Sequence, residues 1–397
     1  MFMQSHEKSD GRSTQRRINR RELIQSLGTA VAGFYFSPQN ILATPRPPTA
    51  PVAVAQCSEY GPVVRATLAT MFAQLGGLRR LVEGKTVAVK LNLTGRPTGL
   101  VRGMPVGLTY WVHPEVVGST VSLLGQAGAR RIRLLEGTMS PAESLEEFLL
   151  QAKWNPREFS SAASGVEFEN TNYPGRAGKY TRLFVPGGGM LFKAYDVNRS
   201  YEDCDVYISL AKLKEHSTTG VTLSMKNSFG IPPCTIYGEG VGTEEPAKVV
   251  KGPRLMLHDG RRQPPRTALP EINPQSPRDQ GYRVPRVTAD LVAARPIHLA
   301  IIDGISTVAG GEGPWVRRCR PVHAGLLIAG TNCVTADAVA TALMGFDPLA
   351  DRGTAPFEKC DSTLKLAEQL VIGTRDLKMI EVIGVPIAKA KISFRSA

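Results

Sequence analysis

The sequence predicts an α/β fold, with a mostly parallel sheet flanked by helices and a long irregular insertion. Three observations predict it. Apolar β-rich runs alternate with helical patterns from residue 85 onward. Polar side chains stand where those runs end, and in open α/β sheets ligands bind at the carboxyl ends of strands. Residues 231–284, with segments such as HDGRRQPPR, are rich in Pro, Gly and Arg and show neither period. A stretch that long inside a domain reads as a lid, a binding loop or disorder.

The elements follow in order. TVAVKLNL, residues 86–93, alternates and is β-rich, so it reads as a strand. His113-Pro114-Glu115 opens a helix, with Pro in the first turn, that runs to Gly128. RIRLLEG, residues 131–137, is the next strand and completes a β-α-β unit, which expects parallel strands. Residues 141–163 read as helical, and residues 182–197 as a hairpin around Gly-Gly-Gly. DVYISL, residues 205–210, is a buried strand. After the insertion, VPRVTADLVAARP reads as a helix, PIHLAIIDG and HAGLLIAG as strands, CVTADAVATALMG as a helix stopped by Gly345, and KMIEVIGV as a late strand.

Composition narrows the function classes. With 397 residues and 42% hydrophobic content the chain builds one large or two medium domains. The formal net charge of +13 favours an acidic partner. Nucleic acid is not expected, because no zinc-finger spacing, aromatic RNA-binding signature or basic heptad helix occurs. The six cysteines, at 57, 204, 234, 319, 333 and 360, form no C-x-x-C pair, so the chain has no iron–sulfur motif. Neither GGEGP nor PGGG carries a nucleotide-binding pattern, and the cofactor stays unknown.

Residues 1–43 read as an export signal. Asn19-Arg20-Arg21-Glu22-Leu23-Ile24-Gln25 resembles the twin-arginine motif, and a moderately apolar stretch, Leu23 to Phe36, follows it. The implied partner is the twin-arginine translocation machinery and the implied location the periplasm, with the segment cleaved after Ala43 or kept as an anchor. A basic amphipathic helix is the competing reading. Residues 44–84 are a Pro-rich linker and lead-in, and residues 85–397 the α/β region.

The candidate site gathers at strand ends. Lys90 and Asn92 close the first strand and Glu136 the second. Lys212, Lys214 and His216 follow DVYISL; if extension continues past Leu210 they share a face, and Leu213 points into the core. Ser217 to Thr219 and Gly220 then make a turn into a short helix that puts Thr222 and Lys226 on one side. Free amides at its start would favour an anion. Asp303 and Glu312 follow the later strands, as acid partners or metal ligands, and Asp337 lies near a helix start. Lysines this close repel one another unless an anion or carboxylates sit among them.

Lys90-Leu91-Asn92-Leu93, His113-Pro114-Glu115, ISLAKLKEHSTTGVTLSMKNSFG, IIDGISTVAGGEGP and TNCVTADAVATALMGFDP together resemble one family, that of domain of unknown function 362. The likeness runs over roughly residues 85–384. It implies a polar site at Lys90, Asn92, His113, Glu136, Lys212, Lys214, His216, Thr222, Lys226, Asn227, Asp303, Glu312 and Asp337, without implying a reaction. Many relatives also carry ferredoxin-like cysteines, which this sequence lacks. The expectation is an exported enzyme for a small anionic substrate, carboxylate or phosphate, with Lys212, Lys214, His216, Lys226, Asp303 and Glu312 in catalysis. A non-catalytic binder or redox accessory for an anionic metabolite is the alternative.

Overall fold

The computed structural model describes residues 46–142 and 144–395. The signal-like segment lies outside them.

Eight strands run side by side in the main sheet. They are β1 (Val52–Gln56), β2 (Thr86–Lys90), β3 (Arg131–Glu136), β4 (Val166–Asn170), β5 (Val206–His216), β6 (Leu299–Ala309), β7 (Arg320–Gly330) and β8 (Val382–Gly384). Their spatial order is β8-β1-β7-β6-β5-β2-β3-β4. The pairings from β4 through β6 are parallel. β7 runs against both β6 and β1, and β8 is parallel to β1. The fold is α/β with a mostly parallel sheet. β2, TVAVK, is buried at every residue, as a strand covered on both faces must be.

Successive residues point to opposite faces. Val87 and Val89 join one apolar layer, with Leu68 of helix α1 (Pro62–Gln74) and Val117 of helix α2 (Pro114–Gln126). Ala88 and Leu213 join the other layer. Its helices include α3 (Leu223–Asn227), α4 (Gln280–Ala294) and α5 (Cys333–Leu343).

Three expectations change. β1 and α1 fall inside the stretch read as a linker and lead-in. The alternation in Val52–Gln56 is short, but antiparallel partners on β7 complete it. The 141–163 region holds two short helices, Leu145–Gln151 and Pro156–Ser160. The insertion carries two single-turn helices, Cys234–Tyr237 and Leu255–His258, and folds over the strand ends. Buried Arg283 anchors it by an ion pair to Glu271 (2.6 Å).

The six cysteines are all buried and unpaired. Among the described residues no helix is long and apolar enough to cross a membrane.

Candidate functional site

A cavity of about 420 Å³ opens where β2, β3 and β5 end. The chain steps from β2 outward to β3 and β4, then returns to lay β5 on the other side of β2. The gap between β2 and β5 is therefore a topological switch point, where diverging connections leave a crevice.

Asn227 fills the floor of that gap. Its amide nitrogen donates to the Lys90 carbonyl (3.1 Å) and Ser209 Oγ (3.1 Å). Its oxygen accepts from Asn92 Nδ2 (2.9 Å) and Lys90 Nζ (3.3 Å). Lys90 is also ion-paired with Glu136 at 2.6 Å. The second Glu136 oxygen accepts from the Leu93 amide. This network fixes the Asn92 amide with its oxygen unpartnered and buried. The Thr222 hydroxyl is also buried without a partner. Both residues line the cavity, at 6% and 4% exposure. Buried polar atoms are almost always satisfied, so two orphans on one cavity point to a missing ligand or water.

The lysine row on β5 divides in two. Lys214 and His216 line the cavity. Lys214 Nζ donates to the Tyr110 carbonyl (2.6 Å), and burial brings its amine down to about 7. Lys226 lies across from it on α3, 9% exposed. Its Nζ makes no hydrogen bond or ion pair among the described residues and sits 4.1 Å from the centre of the Phe229 ring. Burial, with Arg254, Lys214 and Lys90 adding to it against Glu312, brings this amine to about 7 as well.

Two histidines take complementary roles. His216 Nδ1 accepts from the Thr218 amide (3.2 Å), and burial together with Lys226 holds the ring neutral. The ring proton is therefore on Nε2, which makes that nitrogen a donor. His258 is the reverse. Its Nδ1 faces the Arg254 carbonyl (2.9 Å) and must donate, so Nε2 keeps a lone pair. Burial, then Lys226, lowers it to about 4. Glu312 accepts from the Ser217 amide (2.9 Å), the Ser217 hydroxyl and the Trp315 indole. Burial alone would raise this carboxyl; the Ser217 and Trp315 donors work against it and hold it below the usual carboxylate range.

Arg254 and His258 are residues that the sequence reading left out of the site. Arg254 is buried and gives its donors to carbonyls: Pro232, Gly137 (3.0 Å) and Gly230 (2.8 Å). Among the described residues it has no carboxylate partner, and its Nη1 makes no hydrogen bond. Gly137 must lack a side chain, since a Cβ there would sit 2.4 Å from Arg254 Nη2.

Four sequence candidates lie off the cavity. Lys212 is fully buried in an ion pair with Asp303 (2.8 Å) and also reaches the Tyr60 hydroxyl (3.2 Å). The His113 amide donates to Asp303, and its ring stacks on Tyr60 at 3.5 Å and caps α2. This is a structural knot, because each charge already has its partners. Asp337 is a correction of a different kind. It accepts from the Ser224 and Met225 amides at the start of α3 (both 2.8 Å). The amides expected to hold an anion are thus taken by a side chain. Those bonds also hold Leu223 at φ 46°, a left-handed conformation that costs about 1–2 kcal/mol. The remaining candidates, Lys90, Asn92, Glu136, Lys214, His216, Thr222, Lys226, Asn227 and Glu312, all line the one cavity. No group of three His, Cys, Asp or Glu among the described residues is arranged to hold a metal.

Sheet, switch-point crevice and a surplus of cations define an α/β protein with a recessed polar site. Residues 87–342 match the family model described as domain of unknown function (DUF362), and the chain belongs to that family. It is 28% identical over 185 residues to the thylakoid-associated protein sll1697 of Synechocystis sp., a stretch covering 45% of this chain and 49% of that one. The chain thus spans about half the length of that curated relative. Among solved structures, the lactate racemase apoprotein of Thermoanaerobacterium thermosaccharolyticum shares 10% identity at a TM-score of 0.31, over 69% of this chain and 54% of the other.

Proposed function

We propose that the protein is an enzyme acting on a small organic anion, a carboxylate or phosphate, in this cavity. The observation that carries the reading is Arg254, a guanidinium buried at the cavity wall with no carboxylate in ion-pair distance among the described residues. A guanidinium keeps its charge, and an unpaired buried charge is costly, so an anionic ligand is its natural partner. Lys214 would add a second contact. Turnover rather than capture is favoured by Lys226 and the two neutral imidazoles, which simple anion binding would not require.

Melting curves with small carboxylates and phosphate esters at fixed ionic strength test this. A ligand at 100 times its dissociation constant stabilises by about 2.7 kcal/mol, a shift of several degrees. Lys214 is charged below about 7, so the shift should shrink as pH rises through that value. Equal shifts from neutral analogues of the same size would sink the proposal.

We also propose export through the leading segment, on the strength of the Arg20-Arg21 pair and the apolar stretch after it. A reporter fused behind residues 1–43 should reach the periplasm and stay inside when both arginines become lysine. Retention of the unmodified fusion inside the cell would argue for the amphipathic-helix reading, and export of the lysine form would remove the twin-arginine route.

A further inference from the structure

We propose that Lys226 is a nucleophile that captures its substrate as an imine, and that the substrate is a small oxo acid carrying a hydroxyl. This rests on the anion reading of the same cavity and names the ligand's class.

The cavity's amino groups are not equivalent. Lys90 is tied to Glu136 and to the Leu91 carbonyl (2.6 Å), and Lys214 to the Tyr110 carbonyl. Their nitrogens are held as donors. Lys226 Nζ alone among the cavity's lysines has no hydrogen bond, only the face of Phe229. A nucleophilic amine needs a free lone pair and a desolvated setting, and Lys226 has both. Its amine, near 7, is uncharged in a large fraction of molecules at neutral pH. Phe229 also meets the His258 ring edge-on at 4.8 Å, so amine and imidazole flank one aromatic wall.

The proton inventory closes without a further reactant. The Lys226 nitrogen bonds to the carbonyl carbon as the C=O π pair moves to oxygen. The resulting oxyanion is met by the His216 Nε2–H, which donates without losing its proton. His258 Nε2 takes one proton from the positively charged nitrogen and passes it to the oxygen, giving a neutral carbinolamine. The C–O bond then breaks while the nitrogen lone pair forms C=N. His258 carries the second nitrogen proton to the departing hydroxide, which leaves as water. Both protons of the amine end on that water, and both histidines return to their starting states.

The orphan atoms describe the rest of the substrate. Asn92 offers an oxygen, which accepts only, so a ligand that displaces water from it brings a donor there. The Thr222 hydroxyl, also without a partner, accepts or donates. An oxo acid with a hydroxyl beside its carbonyl supplies carboxylate, electrophile and donor in one small molecule. The carboxylate is left to Arg254 and Lys214.

The experiment is reductive trapping of the full protein with pyruvate and hydroxypyruvate, which differ in the hydroxyl beside the carbonyl, as probes and cyanoborohydride as reductant, read by peptide mass mapping. Equal labelling by the two would overturn the hydroxyl. The expected result is an adduct on the Lys226 peptide at probe concentrations at least tenfold below those that label any other lysine. It should be absent in Lys226→Arg, which keeps the charge but not the nucleophile. Absence of the Lys226 adduct, or labelling spread evenly over exposed lysines, overturns the imine. If anions still raise the melting temperature in that case, the anion reading stands alone; if none does, both readings fall.

Discussion

Changing Arg254 to Gln should weaken anion binding by about 10- to 100-fold. Hydrogen bonds to charged groups contribute roughly 1.5–3 kcal/mol, and each 1.4 kcal/mol is tenfold in affinity. Arg254 brings more than a charge. Its three contacts are carbonyls from two segments, Gly137 after β3 and the turn that holds Gly230 and Pro232, so the fork is held rigid and little order is lost when an anion arrives. Gln keeps a donor for one carbonyl and removes the charge. Calorimetric titration with the anion that gave the largest thermal shift measures the effect, with circular dichroism confirming the fold. Arg254→Lys restores charge without the planar fork and should recover only part of the affinity. An unchanged dissociation constant in Arg254→Gln would remove this residue from the site.

The second large effect concerns stability. Lys212→Met should destabilise the protein by about 3–5 kcal/mol, because it leaves Asp303 buried without its cation. Asp303 would still accept from the His113 amide (2.9 Å) and the Tyr60 hydroxyl (3.1 Å), which soften the loss but bring no positive charge. Urea denaturation measures it. The double change Lys212→Met with Asp303→Asn should recover part of the loss, since the uncompensated charge is then gone. A simple sum of the two single effects would mean that the pair does not act as a unit. Lys214→Met, one step along the same strand face, removes an amine without a carboxylate in ion-pair distance and should cost less.

The contrast between these two lysines marks where the sequence stopped being legible. Period two on a strand puts Lys212, Lys214 and His216 on one face. Which of them meets a carboxylate depends on the register of the neighbouring strand, where Asp303 pairs with Lys212. That register is a tertiary fact. Asp337 shows the same limit: its place near a helix start is written in the chain, but its bonds to the first amides of α3 depend on how two helices pack. The parallel core strands were legible because full burial demands continuous apolar runs. β1 was not, being five residues whose partners lie more than 250 positions away. Arg254 and His258 left the weakest trace. They sit in a segment without periodicity, and a basic residue there reads as solvated until the fold lays that segment over the crevice.

β5 carries core and site on alternate residues: Leu213 faces one way, Lys214 and His216 the other. A point substitution on this strand can damage one function and spare the other. A single inserted or deleted residue cannot, because a shift of one exchanges the two faces. It would drive charge into the apolar layer and leucine into the crevice together. The strand is thus open to drift by replacement and closed to drift in length. Length variation should instead collect in its surroundings, above all in the exposed parts of the insertion, where an added residue moves no register.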